Sequence, residues 1–225
     1  MRFGLMGWLS LGLSYRRVLL DAELERLSPS FGGVVLDVGG KRLPRGRFVP
    51  PVAQVGRWVR VNLDPAERPD IVADAQALPV RDKTADWVLC LEVLQYVESP
   101  DAAVAEIGRV LEPAGTVILA APFLHRADSP TDRHRFTEVR LRELLELAGL
   151  QVVRISRQGL FFTTLANLLL QGIARLRPAL IRYAVAALVL PLALCGVSFD
   201  RTTAARRSPF LSSFTTGFLV VARKV

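Results

Sequence analysis

The chain has 225 residues, enough for one large domain with its own core, or for a domain plus an appendage. With 51% hydrophobic residues it is no polar disordered segment, and its two unclustered cysteines, Cys90 and Cys195, give neither a disulfide framework nor a metal site, as in a reducing compartment. The 29 basic against 21 acidic residues leave a formal charge of +8, either a solvated basic surface or a surface for an anionic partner.

Residues 1–13, MRFGLMGWLSLGL, carry one arginine before an apolar run broken by glycine and serine. No small-residue cleavage site follows before Tyr15-Arg16-Arg17, so the stretch reads as an apolar arm and not as a signal peptide. The run V34-V-L-D-V38 is a first strand, ending in Asp37 and then Gly39-Gly40. A buried parallel strand breaks in this way where a ligand must approach its backbone. A second strand, 58–64, ends in Asp64; a short third, 70–74, ends in Asp74; a fourth, 86–91, is followed by Glu92. Ser99-Pro100 opens a helix to about Leu111, with Val104, Ile107, Val110 and Leu111 on one face and Pro113 and Gly115 closing it. A fifth strand covers 116–120. Thr137 caps a second helix, with Leu141, Leu144, Leu145 and Ala148 inward and Gly149 at its end. A sixth strand covers 151–156 and a last one 217–222. This alternation predicts an α/β domain around a parallel sheet, its ligand at the carboxyl ends of the strands.

Two ligand classes compete for the turn after the first strand. A dinucleotide needs G-x-G-x-x-G opening a helix that holds its pyrophosphate. Here the string is G39-G-K-R-L-P44; Pro44 cannot sit inside a helix, and an acid two residues before the first glycine suits a cation.

With those acids in place, the chain resembles the class I S-adenosylmethionine-dependent methyltransferases. More narrowly it is similar to a small bacterial group of the type 11 kind found among polysaccharide and lipid-linked glycan genes. The matching stretches are VVLDVGG, VNLDP, VADAQALPV, DWVLCLEVLQYV, EIGRVLEPAGTVILAAPF, SPTDRHRFT and GFLVVARK. Two departures are Lys41, where a further glycine often stands, and Q95-Y96, where Glu-His is common. The resemblance implies a Rossmann-like, mostly parallel seven-stranded sheet with an antiparallel last strand and a helical insertion before it. It implies S-adenosylmethionine as cofactor. Asp37, Gly39, Gly40 and Glu92 then border its methionine end, Asp64 its ribose, and Asp74 and Ala75 its adenine, with Leu78 and Pro79 flanking the base. The expected reaction is methyl transfer to an oxygen of a lipid-linked or membrane-proximal acceptor, a glycan by the narrower resemblance. The alternatives are methylation of a small lipid or quinone, or a non-catalytic protein that keeps the fold.

Methyl transfer from a sulfonium is intrinsically activated, so alignment supplies much of the rate, but a hydroxyl acceptor usually needs a base as well. The loop P122-F-L-H-R-A-D-S-P-T-D-R-H-R-F-T137 holds both histidines of the chain, His125 and His134, with Asp132 between them. His125 and Asp132 are the candidate bases. The plainer reading of Asp132 is a pairing with Arg135 that shapes the loop.

Between the sixth and last strands lies an unusually long connection. Apolar residues at 161, 165, 168, 169, 173 and 176, opposed by polar ones at 164, 167, 171 and 175, predict an amphipathic helix. The uncharged run from Tyr183 to Val197 follows. As a 15-residue helix it would span about 22 Å, short of the ~30 Å hydrocarbon core. Arg175, Arg177 and Arg182 stand before it and Arg201, Arg206 and Arg207 after it. The last strand must return to the side the chain left, so a hairpin in the plane of an anionic membrane surface is favoured over a single crossing. An extra helical layer against the sheet or a second copy is the plain alternative. Nucleic-acid binding is the minor reading of the charge, because no basic stripe is interleaved with aromatics. The expected division is an N-terminal arm and helix (1–32), a methyltransferase domain (33–158 with 214–225) and a membrane-associating insertion (159–213), in a protein peripheral to the cytoplasmic face of the membrane.

Overall fold

The computed structural model describes residues 14–43, 46–127 and 129–225. The arm expected over 1–13, and Pro44 in the turn, lie outside them.

Helix α1 (Tyr15–Leu27) precedes β1 (Val34–Val38), β2 (Arg57–Asn62), β3 (Ile71–Val72) and β4 (Ala85–Leu91). Helix α2 (Pro100–Val110) leads into β5 (Leu111–Pro122), and α3 (Glu138–Leu147) into β6 (Leu150–Arg157). The insertion contributes α4 (Phe161–Ile173), α5 (Ala179–Phe199), and two short helices, α6 (Thr203–Arg207) and α7 (Pro209–Ser212), before β7 (Gly217–Lys224). The described strands form one sheet in the order β3-β2-β1-β4-β5-β7-β6. From β3 to β5 all pairings are parallel, while β7 runs antiparallel to both β5 and β6. This is the expected sheet. Its order turns at β1, between β2 and β4, which opens a crevice beyond their carboxyl ends.

Strand residues alternate between two buried layers. Along β5, Val117, Leu119 and Ala121 pack with Ile107, Val110, Leu141 and Leu145 of α2 and α3. Ile118 and Ala120 point the other way, toward Leu20 and Leu24 of α1, Phe48 and Trp58. The predicted caps form: Ser99 and Thr137 accept from Ala102 and Arg140 N–H groups at 3.2 Å, and Ser14, which was not predicted, caps α1 through Arg17 N–H at 3.2 Å. Gly149, just beyond α3, takes the left-handed conformation at φ +73° that ends such helices.

Three boundaries differ from expectation. α2 stops at Val110 because Leu111 already enters β5; Pro113 and Gly115 fall within an irregular start of that strand, where Ala85 pairs Leu111 but Trp87 pairs Thr116. β2 ends at Asn62, two residues before Asp64. β3 keeps only Ile71 and Val72, with Asp74 in the turn beyond.

The insertion forms an antiparallel pair, α4 and α5, whose ends meet at the sheet. Gln158 N–H donates to Gly217 O at 2.8 Å and Thr216 Oγ1 to Gln158 O at 2.6 Å. Phe161, Phe162, Phe199, Phe210 and Phe214 stack around this base. Helix α4 has no capping side chain of its own; the buried Asp200 accepts from Thr163 N–H at 2.6 Å and Phe162 N–H at 3.3 Å. The amphipathic pattern is present, but it is turned around. Thr163, Thr164 and Asn167 are buried, and Leu165, Leu168 and Leu169 are exposed. In α5, Leu180, Leu188 and Leu192 are each more than two-thirds exposed. α5 is also longer than the uncharged run, because Ala179–Arg182 extend it and Pro191 does not interrupt it. Its 21 residues reach about 31 Å.

Candidate active site

The crevice at the turn of the strand order holds a cavity of about 310 Å³ lined by Val38 and Gly39 at the end of β1, Asn62 and Leu63 at the end of β2, Asp74 and Ala75 beyond β3, and Glu92 just after β4. These residues sit at or just beyond strand ends, so the sheet register sets their approximate spacing.

The turn after β1 requires its glycines. Gly39 lies at φ +76°, its N–H bonded to Val61 O at 2.7 Å, and a Cβ there would collide with Val93. A Cβ on Gly40 would come within 2.6 Å of the Asp37 carboxyl. Lys41, at the place of a further glycine, pairs with Glu67 and ties the turn to residues 65–67. Asp37 faces a smaller neighbouring cavity with Arg17, Gly39 and Gly40. Burial pushes its carboxyl up to about 6, against a hydrogen bond from Trp58 Nε1 at 3.3 Å and the charges of Arg60 and Arg17. The same burial pushes the Cys90 thiol up to about 12, with the Asp37 charge adding to it.

Asp64 does not line the cavity. Its carboxylate caps the short turn 65–67, accepting from Ala66 N–H at 2.9 Å. Asn62, which sequence reasoning passed over, stands in the cavity wall; its Nδ2 donates to Gly40 O at 3.0 Å and its Oδ1 accepts from Asp64 N–H at 3.0 Å. Asp74 is in the wall, held by Gln76 N–H at 2.9 Å and Gln76 Nε2 at 3.0 Å. Gln76 Oε1 in turn accepts from Ser99 N–H at 2.6 Å, which links Asp74 to the start of α2. Ala75 and Leu78 are buried beside it, and Leu78 N–H donates to Glu106 Oε2 at 2.7 Å.

Glu92 takes a left-handed backbone at φ +61°, its N–H bonded to Ala120 O at 2.9 Å. Its side chain is only 10% exposed and pairs with Arg16 of α1. Gln95, buried at the second departure from the family pattern, donates to Glu92 O at 3.1 Å and accepts from Arg133 N–H at 2.8 Å. It therefore braces both Glu92 and the loop after β5, and Arg133 of that loop reaches the cavity wall.

In that loop Asp128 lies outside the described residues. Asp132 is 2% exposed by side chain and chelated by Arg135, whose Nη2 lies 2.7 Å from Oδ2; the pair forms as the plainer reading expected. Arg135 also donates to His134 O at 2.8 Å and Arg126 O at 3.1 Å. His134 Nε2 lies 3.1 Å from Val97 O. His125 is half-buried and lies outside the wall of the 310 Å³ cavity. Among the described residues no group of acids, histidines and cysteines is placed to hold a metal ion.

A parallel sheet turning at β1, an antiparallel β7 between β5 and β6, and a cavity edged by acids at strand ends define the class I methyltransferase fold. A profile of the Methyltransferase domain family matches residues 46–119. Residues 46–119 thus carry a methyltransferase domain, and the fold around them is that of the class I S-adenosylmethionine-dependent methyltransferases. It is 35% identical over 91 residues to a sterol 4-C-methyltransferase of Caenorhabditis elegans, covering 39% of this chain and 27% of that protein. It is 31% identical over 123 residues to an uncharacterized 37.1 kDa transposon protein of Streptomyces fradiae, covering 48% and 34%. The chain thus spans about a third or less of the curated relatives it matches. Among solved structures, geranyl diphosphate C-methyltransferase of Streptomyces coelicolor superposes with TM-score 0.61 at 15% identity, covering 92% of this chain and 77% of that one. A SAM-dependent methyltransferase of Archaeoglobus fulgidus gives 0.58 at 16%, covering 92% and 94%.

S-adenosylmethionine is the cofactor of this class, and the residues present fit it. A turn that admits only glycine lets backbone approach the ligand, and the buried carboxylate of Glu92 is matched to a cationic end. When bound, the cofactor supplies an activated methyl group.

Proposed function

We propose that this chain transfers a methyl group from S-adenosylmethionine to an oxygen of a lipid-linked or membrane-proximal acceptor, a glycan, at the cytoplasmic face of the membrane. Glu92 and Asp37 supply negative charge to the cofactor's methionine end, Gly39 and Gly40 its backbone seat, Asn62 and Asp64 the ribose edge, and Asp74 with Ala75 the adenine edge. His125 takes the acceptor proton. Asp132, already bound to Arg135, holds the loop that carries it.

The observation that carries the membrane part is the reversed hairpin. Water-facing leucines over buried threonine and asparagine are the opposite of a soluble surface helix. Burying that face in lipid is favourable at about 25 cal/mol per Å². Arginines at both ends of α5, and the return of both hairpin ends to the sheet, suit a hairpin lying in the interface more than one crossing it.

A second reading, methylation of a small lipid or quinone, draws support from the relatives, whose names give a sterol and geranyl diphosphate as substrates. One experiment separates them. Protein is incubated with bacterial membranes and methyl-labelled S-adenosylmethionine, and the label is followed into glycan-bearing and simple lipid fractions. Label in the glycan fraction supports the first reading, and label in simple lipid the second. A protein that stays in the supernatant with phosphatidylglycerol vesicles at low salt would refute membrane attachment. A variant joining residue 159 to 214 by a flexible linker should still bind cofactor and no longer sediment.

A further inference from the structure

Three consecutive residues open α1, and each is attached to a different part of the protein. Tyr15 N–H donates to Asn167 Oδ1 of α4 at 3.0 Å, and the Tyr15 ring packs with Ala166, Ala193 and Val197 of the hairpin. Arg16 pairs with Glu92 in the wall of the cofactor cavity, both side chains nearly buried at 12% and 10% exposed. Arg17 lines the cavity beside Asp37 and the glycine turn and pairs with Asp21 at 2.8 Å. Successive helical residues point about 100° apart, so one rigid turn of helix touches the hairpin, the cofactor cavity and the turn together.

We infer that the start of α1 is a strap through which the hairpin controls cofactor affinity, with Arg16 as its plug. The inference rests on the lipid-binding reading of the hairpin. In this structure the Arg16 guanidinium holds the carboxylate that the ammonium and sulfonium end of S-adenosylmethionine would use. One buried carboxylate cannot serve two cations fully, and a buried charge left without its partner is strongly unfavourable. Cofactor and Arg16 therefore compete for Glu92. Lipid acts on α4 and α5 along their leucine face, and the opposite, polar face of α4 holds Tyr15. A hairpin that shifts on docking carries Tyr15 with it, withdraws Arg16 and releases Glu92. The enzyme then binds its cofactor most tightly where the acceptor is. Such coupling is reciprocal: cofactor must tighten lipid binding by the factor by which lipid tightens cofactor binding.

The test is calorimetric titration of the full chain with S-adenosylmethionine, with and without phosphatidylglycerol–phosphatidylcholine vesicles, beside a sedimentation assay. Vesicles should tighten cofactor binding by about tenfold, within the usual range for coupled sites. Arg16→Gln should bind cofactor without vesicles as tightly as wild type does with them, and lose the vesicle response. Asn167→Ala, which cuts the attachment to the hairpin and decides the matter if the Arg16 variant fails to fold, should sediment normally and also lose the response. Wild type that sediments with unchanged cofactor affinity overturns the strap and leaves the lipid reading standing. Wild type that does not sediment overturns both. Weaker cofactor binding by a folded Arg16→Gln overturns the competition and makes Arg16 a cofactor ligand instead.

Discussion

Replacing Asp37 by asparagine should stabilise the protein at neutral pH while impairing it as a cofactor site. The folded environment raises this carboxyl from 3.8 to about 6, first through burial, with Asp70 adding to the rise and Trp58, Arg60 and Arg17 opposing it. Between those two pH values the unfolded chain has lost its proton and the folded one keeps it. The folded state therefore binds the proton more tightly, and this group makes stability fall as pH rises from about 4 to 6. Above 6 the full penalty applies. At about 1.4 kcal/mol per pH unit the difference is about 3 kcal/mol. Water in the adjoining cavity lowers that, so about 1–3 kcal/mol is expected. Asparagine keeps the shape and still accepts from Trp58 Nε1, without the charge. Urea unfolding followed by tryptophan fluorescence at pH 4, 5, 6 and 7.5 should show the variant level with wild type at pH 4 and more stable by that amount at 7.5. Equal stability at 7.5, or a wild-type advantage that grows between pH 4 and 6, would refute the assignment of a raised carboxyl. The same variant should bind S-adenosylmethionine more weakly, because an amide offers no charge to a cation.

Asp64→Ala should weaken S-adenosylmethionine binding by about 1–3 kcal/mol if the carboxylate leaves its cap on residues 65–67 to meet the ribose; an unchanged titration would leave that edge to Asn62. His125→Gln should lower turnover with cofactor affinity intact, and unchanged turnover would point to alignment alone or to a base elsewhere. Asp132→Ala leaves the part-exposed Arg135 guanidinium only its carbonyl acceptors, so it should destabilise the fold by about 1.5–3 kcal/mol in chemical denaturation; a loss below about 1 kcal/mol would mean that the pair does not organise the loop.

The parts of the site legible in the sequence are those that local backbone geometry demands. Gly39 and Gly40 announce themselves because no other residue fits the turn, and α2 and α3 because their caps and apolar faces lie within a few residues of one another. Asp74 was readable from its place after a strand. Asn62, Gln76 and Arg16 were not, and Gln95 was visible only as a departure from the family pattern, without its role. Each works through a partner brought close by the tertiary fold, Gln95 through Arg133 and Arg16 across 76 positions to Glu92, and no local spacing encodes that. The hairpin shows a different limit. An amphipathic period reveals that a helix has two unlike faces, but not which of them meets the protein. Only the packing of Asn167 against Tyr15 decides that the polar face turns inward.

The position of β7 orders events during synthesis. Among the described residues β6 pairs with no strand except β7, so it stays unpaired until residues 217–224 leave the ribosome. By then β1 to β5 and both apolar helices of the insertion have already emerged. At about 5–20 residues per second, the interval is several seconds, long compared with helix formation. For that time the nascent chain carries an unfinished sheet edge and an exposed leucine face together, the two surfaces most prone to aggregate. Any cover that reaches the leucine face early in synthesis would shorten that exposure.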